Sequence, residues 1–270
     1  GSDTSLALAA ENFESFEGRE GNDTINGLGG FDRVDYSSSA GAVVINLASG
    51  TASDGYGSID TLIGIEGIRG SAFNDQITGS GNADRLSGNG GNDSLTGGLG
   101  LDVFQFEAPL SAAGNVDTIT DFAVGEKIWL DNDVFIALGA PATLGAAQFF
   151  SGAGLTGSTA AGQGAGIYYN STAGSLYYDA DGFGGAASVQ FAVVTGNPVL
   201  SASNFEVRDL AHPSANTRND VDDPSSLRPD RRRRATARRQ PARRAGAVVA
   251  RVADRRHGGR RSVCRDAGAL

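Results

Sequence analysis

Aspartate recurs every nine residues through the middle of this chain. Asp75, Asp84, Asp93 and Asp102 are evenly spaced, and Asp23 and Asp32 keep the same interval upstream. Carboxylates in so regular a row repel one another unless positive charge sits among them. They are hard oxygen donors. With backbone carbonyls they suit calcium (Ca2+), which accepts roughly six to eight oxygens in flexible geometry. Magnesium demands a stricter octahedron. No His or Cys is interleaved, which argues against zinc. A single Asn-Asp or Gly-Asp would read as an ordinary solvated turn. Six in phase point to a cation.

The elements that must position these groups follow from the units around them. GSAFNDQIT, GSGNADRLS, GNGGNDSLT and GGLGLDVFQ run without a break from Gly70. GREGNDTIN and GLGGFDRVD open at Gly18 and Gly27. Glycine begins each unit, aspartate holds position six, and position eight is apolar: Ile25, Val34, Ile77, Leu86, Leu95 and Phe104. Glycine lets a tight turn recur and the backbone approach an ion. Positions seven to nine make a minimal strand whose middle residue points inward. Period and composition together predict a parallel β-roll, a calcium-binding nonapeptide solenoid.

These units resemble the repeats-in-toxin (RTX) nonapeptide of bacterial exoproteins such as the serralysin-type proteases. In that family two nonapeptides form one coil, so loops eighteen residues apart stack. The resemblance implies one calcium between the loops of Asp75 and Asp93, and another between those of Asp84 and Asp102. It adds the carbonyls of Ser71, Phe73, Gly88 and Gly90 to the first site. It adds those of Ser80, Asn82, Gly97 and Leu99 to the second. This chain departs from the family pattern at position two in most units, and at position four in Phe73 and Asn82.

A longer repeat is also present. Glu14, Phe16, Gly18 and Asp23 return 52 residues later as Glu66, Ile68, Gly70 and Asp75. Glu14 and Glu66 thus fall in the aspartate phase, as further ligands or as outward side chains on incomplete coils. Residues 36–69 interrupt the beat and are expected to form wider coils of the same roll, giving a β-roll over 1–106.

After Phe106 the pattern changes. Residues 107–207 resemble the β-rich cap and type I secretion region of the same exoproteins. Ile167–Asn170 and Leu176–Gly182 around a Ser-Thr-Ala-Gly turn predict a β-hairpin. Asp179 and Asp181 read as turn formers. The net charge of −9 hides a division. Residues 1–207 carry 24 Asp and Glu against five Lys and Arg, whereas residues 208–270 carry 17 Arg against seven Asp. That last segment lacks a sustained apolar period and is expected to be a disordered basic tail, foreign to the domain. No aromatic platform or known module accompanies its arginines, so no specific nucleic-acid partner is expected.

Catalytic patterns are missing. The two histidines, His212 and His257, lie in the tail without a His-Glu-x-x-His, and no Ser sits in Gly-x-Ser-x-Gly. Gly152–Gly157 matches a dinucleotide fingerprint but lacks a βαβ setting, so a loop is expected. No apolar run is long enough to span a membrane. Residues 1–20 are acidic and show no leader. The beat is already running at Glu14, which suggests the C-terminal part of a longer protein. The sequence therefore predicts an all-β, non-enzymatic, calcium-folded module of a secreted bacterial protein, with calcium and the type I secretion machinery as partners. The alternatives are an accessory module of a secreted protease, lipase or alginate epimerase, or part of a cell-surface adhesin.

Overall fold

The computed structural model describes residues 13–158 and 163–210. The roll begins with β1 (Phe13–Phe16), β2 (Thr24–Asn26) and β3 (Phe31–Asp35). An insertion supplies β4 (Val44–Asn46), β5 (Thr51–Ser53) and β6 (Ile59–Ile63). The beat resumes with β7 (Gly67–Arg69), β8 (Gln76–Thr78), β9 (Arg85–Ser87), β10 (Ser94–Thr96) and β11 (Val103–Phe106). Then come β12 (Asp117–Ile119) and β13 (Lys127–Asp131). The remaining strands are β14 (Ala142–Thr143), β15 (Phe149–Gly152), β16 (Gly166–Asn170), β17 (Ser175–Asp179), β18 (Val189–Val194) and β19 (Phe205–Arg208). No helix among the described residues is long and apolar enough to cross a membrane.

Two sheets face each other. One runs β1-β3-β7-β9-β11-β13-β19-β14, the other β15-β16-β17-β18-β12-β10-β8-β4-β5-β6-β2. From β7 to β13 successive strands alternate between them, so each nonapeptide adds one rung to one sheet. β8 and β10 pair in parallel at Ile77↔Leu95, and β9 and β11 at Leu86↔Phe104, both with an offset of eighteen residues. The position-eight side chains are buried between the sheets: Ile25, Val34, Ile77, Leu86, Leu95 and Phe104, with Ile68 in the same role. Burying each such side chain stabilises by about 1.5–3 kcal/mol. The three-residue strands leave no room for a second inward residue, so the core is one side chain thick per rung.

The insertion is not a set of wider coils. β4, β5 and β6 form an antiparallel meander within one sheet, between β8 and β2. Two local devices reverse the chain. Asn46 Oδ1 accepts Ser49 N ahead of Gly50, whose φ is +67°. Asp54 Oδ1 accepts the amides of Tyr56, Gly57 and Ser58. In the other sheet β3 pairs directly with β7.

Nor do the sheets stop at residue 106. β12 stacks on β10 and β13 on β11, both with an offset of 24 residues. Residues 107–131 are thus one more coil, lengthened by six residues. β18 and β19 then add the next rungs, and β16 and β17 form the expected antiparallel hairpin at Tyr169↔Leu176. The final strand includes Arg208, one residue beyond the expected boundary. The rest of the arginine-rich segment, from 211 on, lies outside the described residues together with His212 and His257.

Candidate metal centre

Each position-six carboxylate stands at the entry to its strand, where the chain turns from loop to sheet. There it meets the next coil. Asp75 N donates to Asp93 Oδ1 at 2.8 Å, and Asp84 N donates to Asp102 Oδ1 at 2.8 Å. The two predicted pairs are therefore brought together, one along each sheet. The ladder closes the turns and holds a row of carboxylates in register with the strands.

Glycine at position one makes room for this. A methyl group on Gly79 would stand 2.7 Å from Asp84 Oδ2, and one on Gly70 would stand 2.6 Å from the Gly88 carbonyl oxygen. At Gly70 the other neighbour is Asp75 Oδ2, and at Gly79 it is the Gly97 carbonyl. So a carboxylate oxygen of one loop and the position-one carbonyl of the next converge on the same bare Cα. Both oxygens belong to the ligand sets implied for the two sites. The remaining carbonyls stack less freely. Ser71 O accepts Gly90 N at 3.2 Å and Asn89 Nδ2 at 2.9 Å, and Ser80 O accepts Leu99 N at 3.2 Å. The carbonyls of Phe73 and Asn82 lie against Gly91 and Gly100, where no side chain fits.

The two sites differ in satisfaction. Asp75 uses both oxygens on the protein: Oδ2 accepts Ser71 N at 2.6 Å, and Oδ1 accepts Ser71 Oγ at 2.7 Å and Val43 N at 2.8 Å. Asp84 Oδ1, Asp93 Oδ2 and Asp102 Oδ2 are buried with no hydrogen-bond partner. A buried unsatisfied polar atom costs about 1–3 kcal/mol, more when charged. Three of them, all on loops of the uninterrupted repeat, are the signature of a group that binds a cation through oxygen. Among the described residues no three His, Cys, Asp or Glu side chains gather into a cage. A cation must then draw on carbonyls as well, which suits calcium.

Electrostatics agree. Burial pushes Asp84 up to about 6, and burial with Glu66 and Glu14 nearby pushes Asp32 up to about 6. Asp93 and Asp117 are both raised, by burial first, as a pair that cannot comfortably ionise together. Asp102 is raised by burial and by Asp121.

Upstream, β1 and β3 keep the eighteen-residue stack with Glu14 opposite Asp32, but the next pairings differ from it. Asp23 N donates to Asp60 Oδ1 at 3.0 Å, and Asp32 N donates to Glu66 Oε2 at 3.1 Å. Glu66 therefore takes the aspartate role in its rung. Asp60 is fully buried and its Oδ2 accepts Tyr36 Oη at 2.7 Å. Sequence inspection missed Asp60, Asp117 and Glu126. A signal was present: Asp60-x-Leu62, Asp117-x-Ile119 and Glu126-x-Ile128 all repeat the spacing of positions six and eight, and the last two are nine residues apart. Asp179 and Asp181 behave as turn formers. Asp179 accepts the amides of Gly182 and Ser158, and Asp181 accepts that of Ala186.

A model of the RTX calcium-binding nonapeptide repeat matches residues 14–37 and 69–104, in four copies. Over these residues the chain is an RTX β-roll. The family binds calcium, and the matched span of the RTX roll holds all six phased aspartates. The insertion and everything after Phe104 fall outside the match. No curated protein matches the chain.

Proposed function

We propose that this chain is a non-catalytic module, from a bacterial protein secreted by a type I system, that folds outside the cell when calcium arrives. The observation that carries the proposal is the set of buried, unpartnered oxygens on Asp84, Asp93 and Asp102. Asp75 with Asp93, and Asp84 with Asp102, would hold the ions, helped by the position-one carbonyls of Gly88 and Gly97. Bound calcium would neutralise the row and cross-link successive coils. Inside a cell, where free calcium is scarce, the acidic 1–207 segment would stay expanded by self-repulsion. Outside, sites of about 0.1–1 mM affinity would fill.

Circular dichroism of the full chain, with calcium and with EGTA, tests this. The β-signal should fall on chelation, as the repeat coils loosen, and recover with calcium. Equal β-content in both conditions would refute it. Export is tested separately with a chain ending at Leu210. It should leave through a type I system if the address lies within 107–207. Retention of that chain, with export of the full one, would place the address further on.

A further inference from the structure

The carboxylate ladder does not end where the nonapeptides end. Asp93 N donates to Asp117 Oδ1 at 3.1 Å, just as Asp75 N donates to Asp93. On the opposite sheet, β11 and β13 pair so that Val103 lies beside Lys127, which sets Asp102 beside Glu126. Lys127 N donates to the Asp102 carbonyl at 3.0 Å and fixes that register. Ladder partners therefore continue for one further coil, at an offset of 24 instead of eighteen.

Glu126 has no structural task that needs both of its oxygens. Oε2 accepts Ala123 N at 2.7 Å, whereas Oε1 is buried without a partner. Asp102 is in the same position: Oδ1 accepts Asp84 N, and Oδ2 is buried without a partner. Glu126 is 1% exposed and Asp102 is fully buried. Asp121 fastens the two loops together, its Oδ1 accepting Gly97 N at 2.8 Å and its Oδ2 accepting Gly98 N at 2.9 Å. Beyond Glu126 the ladder stops, because the next rung pairs Asp117 with Ala192, and the Ile128↔Phe205 register sets Ser203 beside Glu126; neither Ala192 nor Ser203 brings a carboxylate.

We infer that Asp102 and Glu126 form a further calcium site, outside the nonapeptide repeats, that clamps the roll to the coil formed by residues 107–131. It rests on the calcium reading of the repeats, since Asp102 would serve a repeat site on one side and this one on the other. Two buried carboxylates side by side require a shared proton or a shared cation. The free oxygens are hard donors and no nitrogen or sulfur ligand is beside them, which selects calcium over zinc.

The test is native mass spectrometry of the full chain in calcium, wild type against Glu126→Gln. The variant should fold and carry one calcium fewer, with the repeat sites still filled. An unchanged count would overturn the site. A wild-type chain that binds no calcium would instead sink the repeat reading itself. If Glu126→Gln fails to fold, crystals of the wild-type chain grown in calcium decide, through anomalous scattering. A peak between Asp102 and Glu126 is expected. Peaks in the repeat loops with none between these two carboxylates would leave them sharing a proton and reject the proposal.

Discussion

The repeat coils and the aromatic end of the molecule share two sheets but are held together by different forces. Between Gly70 and Phe104 each rung buries one apolar side chain and one carboxylate. Beyond β13 the interior thickens. Phe135 packs edge-on against Phe191 at 5.3 Å and Tyr178 at 5.1 Å, and Phe106 against Phe191 at 5.1 Å. Tyr168 and Tyr169 are wholly buried, and their hydroxyls donate to the carbonyls of Gly164 and Pro198. These hydroxyls are satisfied by the protein. In the coils, Asp84, Asp93 and Asp102 each keep a buried oxygen without a partner. The same fold thus combines a segment that depends on a cation with one that depends on hydrophobic burial. The comparison teaches that strand pairing alone does not set stability. What lies between the sheets does.

Chelation should expose that difference most strongly. In EGTA, amides of β8 to β11 should lose hydrogen-exchange protection by orders of magnitude, while those of β16 to β18 keep more of theirs. Equal loss in both regions would erase the distinction. Core truncation sharpens it from the other side. Phe191→Ala should cost about 3–5 kcal/mol, read from denaturant melts with and without calcium. The loss should be similar in both, because the ring packs on Phe106 and Phe135.

Single carboxylates come next. Asp93→Ala should remove the ligand shared along one ladder and weaken calcium binding in a calorimetric titration. A site of 0.1 mM affinity in about 10 mM calcium contributes roughly 2.7 kcal/mol, and that increment should vanish. Asp179→Asn, a turn former in the aromatic end, should leave the calcium titration unchanged. Affinity and stoichiometry untouched in Asp93→Ala would remove it from the site.

The pH dependence should be smaller and of opposite sign in the two metal states. Asp84 and Asp32 have folded pKa values raised to about 6, above their ordinary values. A raised pKa gives stability that is fully present below the unfolded value and lost as pH rises through the folded one. Without calcium the coils should therefore melt at higher temperature near pH 4 than near pH 7.5, within about the range these shifts cover. With calcium the order should reverse, since protons and calcium compete for the same oxygens. A calcium-free melting temperature that rises with pH would contradict burial as the cause.

Much of the coil was legible from residues alone. A nine-residue beat with glycine, aspartate and an apolar residue in fixed phase can satisfy only a geometry that repeats, so strand positions and inward side chains followed from spacing, whereas the Asp75–Asp93 and Asp84–Asp102 partnerships came from the resemblance to RTX repeats. Where the beat broke, local pattern gave no partner. Residues 36–69 read as coils because Gly and Ser turns look alike in sequence. The antiparallel meander arises from Asn46 and Asp54 capturing nearby amides. Glu126 meets Asp102 only because six extra residues loop out and the register closes again at an offset of 24. Period determines which residues face inward, since it is a property of the chain's own geometry. Which carboxylates meet across a broken period is decided by strand pairing between distant segments, which exists only in the folded sheet.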